Sequence, residues 1–306
     1  MLVAGCGALG RNAAWWEARR DSSGLAPDPA RTADAVLQVY AARTVGWRGL
    51  LAVHTWIALK RMDAREYTRY EVIGWGVERG LPALRVNRTG ADNWWFGSEP
   101  ALLLDRRGHE VEGLIDRVEA AIAAYPYRDS YRTWPGPNSN TFVAYVARAV
   151  PELRLTLPPT AIGKDFLAGG VLGASAPSGS GVQLSLLGLA GVVAGWDDGV
   201  EVNVLGLIFG VDLKRPALKL PGFGRLGTRG GPAVPPRSGN VTPRADHATP
   251  PDGNVTPHAP PGAAWRSDRH VGPETCTALH RGVPTSGPSP RARPTEPAEQ
   301  QLQRWA

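Results

Sequence analysis

The large apolar residues of this chain stop abruptly. All five Phe, all seven Tyr and every Ile precede residue 228, while the last 78 of the 306 residues hold 15 of the 28 Pro and almost no large aliphatics. Such a segment cannot bury enough apolar surface to offset the entropy of ordering it. The core must therefore be built before residue 228, from roughly 190 residues, an ordinary size for one domain. The expected organisation is an N-terminal segment over 1–33, a globular domain over 34–227 and a disordered Pro/Arg-rich tail over 228–306. The echo of Gly239–Pro243 at Gly253–Pro257 (GNVTP) carries no fold of its own.

The formal net charge is +6, but it is spread along the chain without a basic block or a basic helix face. Nucleic-acid binding needs clustered charge, so nucleic acid is not an expected partner. The two cysteines, Cys6 and Cys276, lie near opposite ends and make neither a disulfide framework nor a zinc site. Cys276 and His280 supply two ligands where a closed zinc site takes four. Gly5-x-Gly7-x-x-Gly10 has the spacing of a dinucleotide-binding turn, but four residues are too few for the strand that must precede it. Gly163-Lys164-Asp165 lacks the flanking residues of a phosphate-binding loop. No cofactor and no metal is expected.

No run of 18 apolar residues is present, so no transmembrane helix is expected. Val3-Ala4-Gly5-Cys6 has the form of a lipoprotein cleavage box, without the longer apolar stretch that a signal carries. Two readings stay open. Either these residues are the remnant of an export or anchor sequence, which places the protein at the cell envelope with membrane association, or the likeness is chance and the protein is cytoplasmic.

Within 34–227 the pattern is α+β, with antiparallel strands packed on helices. Ala35–Tyr40, Gly49–Lys60 and Tyr67–Gly76 are rich in Val, Ile, Trp and Tyr and read as strands, with Leu84–Asn87 as a fourth. Ser98 is placed to cap a helical turn beginning at Glu99-Pro100. Glu110–Tyr125 reads as a helix whose Leu114, Ile115, Val118, Ile122 and Tyr125 share one face. A second helix starts at an Asn138 cap, buries Phe142, Val143, Val146 and Val150, and stops at Pro151. From Pro158 the chain turns Gly-rich. Val182–Val193 and Val200–Val211 read as two buried strands joined at Trp196-Asp197-Asp198-Gly199 in a β-hairpin.

Two side chains stand out chemically. His54 sits inside an apolar strand, whereas His109 lies at a polar helix start. A hairpin turn centred on Met62-Asp63 sets Glu71 opposite His54, and a turn one residue later makes Glu71 its diagonal neighbour on the same face; either way the two touch. A carboxylate so placed orients an imidazole. Ser139 begins the second helix, where free N–H groups favour an anion and would serve an oxyanion. The plainer readings are a satisfied buried histidine and a capping serine.

Several strings occur together and in order: VYAARTVGWRG (39–49), AVHTWIA (52–58), YEVIGW (70–75), YPYRDSYRTWPGPNSNTF (125–142), ARAVPEL (147–153), LPPTAIGKDF (157–166) and PALKLPGFGRLG (216–227). They resemble the uncharacterised bacterial family called domain of unknown function 3750, across 34–227. That label implies no activity; members tend to begin with a membrane-anchoring segment. A more distant resemblance is to circularly permuted papain-like hydrolases of the NlpC/P60 and PPPDE type. There a histidine precedes a cysteine in an Asn-Cys-Asn-x-Phe string, which maps the base to His54 and the nucleophile to Ser139, with Glu71 as the polar residue of the next strand. Serine in place of cysteine is a weaker nucleophile that needs stricter base geometry.

Two functions follow as expectations. The first is a papain-like hydrolase or acyltransferase acting on an amide or ester, with Ser139, His54 and Glu71 catalytic and Asn138, Asn140 and Trp134 lining the site, its substrate a small molecule, peptide or lipid. The second is a catalytically inactive binding or scaffold domain of the cell envelope, with Trp134, Trp94 and Trp95 around the pocket.

Overall fold

The structure, a computed structural model, describes residues 18–88 and 90–227. The expected tail and the Cys6 region lie outside the described residues. Two sheets and two helices make up the domain.

The first sheet is antiparallel, in the order β4-β3-β2-β1-β5. Its strands are β1 (Val36–Arg43), β2 (Val53–Lys60), β3 (Thr68–Val72), β4 (Leu84–Asn87) and β5 (Ala101–Arg107). Both β1 and β2 are buried along their whole length. Alternate residues therefore feed two separate apolar layers. Leu37, Val39, Ala41, Val53, Ile57 and Leu59 face the helices. Val36, Tyr40, Ala42, Trp56 and Ala58 face the other way, under Tyr67, Ala91 and Trp95.

The helices are α1 (Val111–Ala123) and α2 (Ser139–Ala149), close to the expected bounds. The buried residues of α1 are Val111, Ile115, Val118, Ala121 and Ile122, an apolar stripe at helical spacing. The stripe of α2 contains Phe142, Val143 and Val146.

The expected helical turn at Ser98 does not form. Trp95 and Ser98 close a tight backbone bridge instead, and the chain enters β5, which pairs with the free edge of β1. The Ala-Leu-Leu-Leu run favours helix locally. An open edge with matching backbone donors and acceptors overrides that preference.

Residues 18–33 are tied to the domain. Ser22, Ser23 and the backbone N–H groups of Leu25 and Ala26 all hydrogen-bond to the Asp92 carboxylate, and Tyr67 donates to the Pro27 carbonyl.

The Gly-rich region is larger than the single hairpin expected. It is a seven-stranded antiparallel meander: β6 (Gly173–Ser175), β7 (Gly181–Leu186), β8 (Ala190–Gly195), β9 (Gly199–Val204), β10 (Leu207–Asp212), β11 (Ala217–Leu220) and β12 (Gly224–Gly227). Each apolar run is itself folded in two, at Leu187-Gly188 and Leu205-Gly206. All four of these residues have positive φ, the left-handed backbone that tight hairpin turns use; two residues join β9 to β10 and three join β7 to β8. Leucine is a poor marker of that turn, which is why the runs read as continuous.

The polarity of this sheet is inverted. Its inner face carries Gln183, Ser185, Glu201, Asn203 and Lys219, all buried. Lys164 donates to Glu201 at 2.6 Å, Lys219 to Glu201 at 2.5 Å, and Gln183 and Asn203 both donate to Asp165. Burial opposes the charge on Lys164, but Asp165 and Glu201 outweigh it and raise its pKa. The Gly163-Lys164-Asp165 segment is thus a clamp between the sheet and α2, where Arg148 also donates to Gln183. The outer face is apolar: cross-strand pairing sets Val182, Ala194, Val200, Val211, Leu218 and Leu226 in one row.

Candidate functional site

His54 lies on β2, on the face that carries Trp56 and away from the helices. Strand β3 pairs with β2 so that Trp56 stands opposite Glu71, which makes Glu71 the diagonal neighbour of His54. The two are hydrogen-bonded, His54 Nε2 to Glu71 Oε2 at 3.1 Å. An ionised carboxylate only accepts, so Nε2 carries the proton. Arg69 Nη2 donates to the same oxygen at 2.7 Å, and Asn87 Nδ2 to Glu71 Oε1 at 2.9 Å. Burial alone would push the Glu71 carboxyl up. The hydrogen bond from His54 and the Arg69 guanidinium outweigh it and hold the carboxyl at about 2. Burial drives the His54 pKa down, against the pull of Glu71, so the imidazole is neutral at pH 7.

Aromatic rings close this network. Trp75, Trp95, His54, Trp56 and Tyr40 form a stacked column, with Trp95 3.8 Å from the imidazole centroid. Arg69 lies 4.1 Å over the Trp56 ring, a cation–π contact. Phe96 meets both Trp75 and Trp95 edge-on. Sequence reasoning identified His54 and Glu71 but not Arg69, Asn87 or Trp75. The alternation along β3 placed Arg69 on the Glu71 face and could have found it.

Ser139 opens α2 on the other side of the sheet. The neighbouring strand residue Thr55 points there and donates to the Ser139 carbonyl at 3.2 Å and to Asn140 Oδ1 at 3.0 Å. His54, one residue earlier, points to the opposite face. No hydrogen bond joins Ser139 to His54, so the expected nucleophile–base pair is not assembled.

The residues around Ser139 act as ties. Asn138 Oδ1 accepts from the N–H groups of Asn140 and Thr141, which occupies two of the helix-start donors. Its Nδ2 donates to the carbonyls of Thr133 and Ile162. Asn140 Nδ2 donates to Val53 and Ile162, and Thr141 donates to Gly163. These bonds fasten the α2 start to β2 and to the segment carrying Lys164. Gly163 has positive φ, and a side chain there would strike Asn138. Trp134 is half exposed; it donates to the Leu205 carbonyl at 3.1 Å and so touches the second sheet rather than the His54 network. Trp94 lies by Arg19.

No group of three or more His, Cys, Asp or Glu side chains among the described residues is placed to hold a metal. No helix among them is long and apolar enough to cross a membrane.

Fold and site together define an α+β domain with a buried His–Glu–Arg network under an aromatic column. Residues 34–166, which contain the first sheet, both helices and that network, match the family described as Protein of unknown function (DUF3750). No curated protein and no solved structure matches the chain.

Proposed function

We propose that this domain is a non-catalytic binding or scaffold module. One observation carries the reading: His54 points to the face of the first sheet away from the helices, while Ser139 opens α2 on the helix-covered face, with the sheet backbone between them. A serine becomes a nucleophile when a base within hydrogen-bond reach takes its proton. Here the imidazole is stacked under Trp95 on the face away from the helices, out of reach of the serine, while the serine is buried among helix-start hydrogen bonds. The hydrolase reading keeps in its favour the His54–Glu71 hydrogen bond, and that bond serves equally as a buried structural tie. The partly exposed Trp75–Trp95 end of the column offers flat apolar surface suited to a ligand.

The test is labelling of the full chain with a serine-reactive fluorophosphonate, together with an esterase and amidase assay on small chromogenic substrates. Neither label nor turnover is expected. Label that is lost in both Ser139→Ala and His54→Ala, with both variants folded, would restore the hydrolase.

A further inference from the structure

The outer face of the seven-stranded sheet has nothing over it among the described residues. Its side chains stand in three cross-strand rows. The row from Val182 to Leu226 crosses six strands, Leu184, Val192, Val202 and Phe209 form a second, and Leu186, Ala190, Val204 and Leu207 a third. Leu184 is 63 % exposed, Phe209 45 % and Leu226 48 %. The outward positions of β7 to β12 carry no charged and no polar side chain; on β6 the hydroxyl of Ser175, paired with Val182, is the one polar group. Seven strands about 4.8 Å apart and about 10 to 20 Å long present a footprint of roughly 550 Å². Soluble monomers rarely expose a contiguous apolar patch larger than a few hundred Å².

We propose that this face is a self-association surface, on which a second copy of the chain packs sheet to sheet. The area fits: the footprint approaches the roughly 800 Å² that each partner contributes to a stable dimer. A twofold pair asks only that the face complement itself, and a uniform field of Val and Leu on a pleated surface does so at the ~10 Å spacing of stacked sheets. The missing charges fit too, because interface cores are depleted of them.

The inverted polarity explains why the surface is preformed. Glu201 held between Lys164 and Lys219, and Asp165 bonded to Gln183 and Asn203, pin the reverse face to the domain body. The partner therefore meets a sheet that needs little further ordering. A lipid surface is the weaker fit. The two edge strands β6 and β12 each leave one row of backbone groups outside the sheet ladder, and such groups are costly to place in hydrocarbon. This interface is independent of the His54 network, which lies on the other sheet.

The experiment is sedimentation velocity and light scattering on the full chain over a dilution series, for wild type and for Val202→Lys/Phe209→Lys at the centre of the face. Wild type should run at twice the chain mass at the higher concentrations. The double variant should run as a monomer with an unchanged circular dichroism spectrum. A second measurement covers the case in which that variant fails to fold. In a Cys6→Ser/Cys276→Ser background, Val202→Cys should link copies through a short bismaleimide, and Ala123→Cys on α1 should not. A wild type that stays monomeric at every concentration overturns the proposal, whether or not it binds phosphatidylcholine vesicles. So does a dimer that survives in the folded double variant, or equal cross-linking at the two cysteine positions.

Discussion

Arg69 and Glu71 are two residues apart on β3, point to one face of the sheet, and share a 2.7 Å hydrogen bond with both side chains buried. Their adjacency follows from the two-residue period of a strand. Removing one member leaves the other's charge buried without compensation, which costs about 3–5 kcal/mol. Arg69→Met and Glu71→Gln should each destabilise by that order in urea denaturation. The double variant should recover part of the loss, because the pair is coupled. Additive losses in the double-mutant cycle would mean that the ion pair contributes nothing of its own.

The same carboxylate sets an acid limit. Glu71 titrates at about 2 in the folded chain against its ordinary 4.5. Its stabilisation is therefore whole above pH 4.5 and is lost as pH falls from 4.5 towards 2, roughly 3 kcal/mol in all. His54, lowered by burial from 6.5, acts in the same direction: the unfolded chain takes up the proton first, so stability begins to fall below pH 6.5. The melting temperature should drop through both windows. Glu71→Gln should flatten the lower one, and an unchanged slope there would refute the assignment.

At the start of α2 three adjacent residues should differ sharply. Asn138→Ala removes a helix cap, a loss of about 1–2 kcal/mol. Asn140→Ala strips a donor from the buried Val53 carbonyl, about 1–3 kcal/mol. Ser139→Ala removes no side-chain hydrogen bond and should stay within about 0.5 kcal/mol. Thermal denaturation of the three variants checks the order. A Ser139→Ala loss equal to that of Asn138→Ala would give the hydroxyl a structural role that its surroundings do not show.

Leu187 and Leu205 hold positive φ, 52° and 53°, at the first position of hairpin connections, each followed by glycine. That conformation suits asparagine, which tolerates the left-handed region. Leu187→Asn and Leu205→Asn should each raise stability by up to about 1 kcal/mol through relief of backbone strain. Melting curves recorded at low protein concentration, where association is weak, give the comparison. A fall in melting temperature for both would show that the exposed leucines make contacts worth more than the strain.

The end of the apolar composition at residue 227, the stripes of α1 and α2, the Asn138 cap and the His54–Glu71 contact all follow from local chemistry and from the periods of strand and helix. Each depends on neighbours a few residues away or one hairpin apart, so the order of residues suffices. The strand identity of Ala101–Arg107 does not follow in this way, because only the free edge of β1 overrides its helical preference. The side on which Ser139 falls is equally non-local. Every residue of β2 is buried on both faces, so the alternation that separates His54 from Thr55 does not say which face the helices cover. Layer packing decides that, and with it the separation of histidine from serine. The second sheet carries the same lesson: its alternation is plain in the sequence, but only the buried Lys164–Glu201–Lys219 cluster makes the polar face the inner one and leaves the apolar face outside.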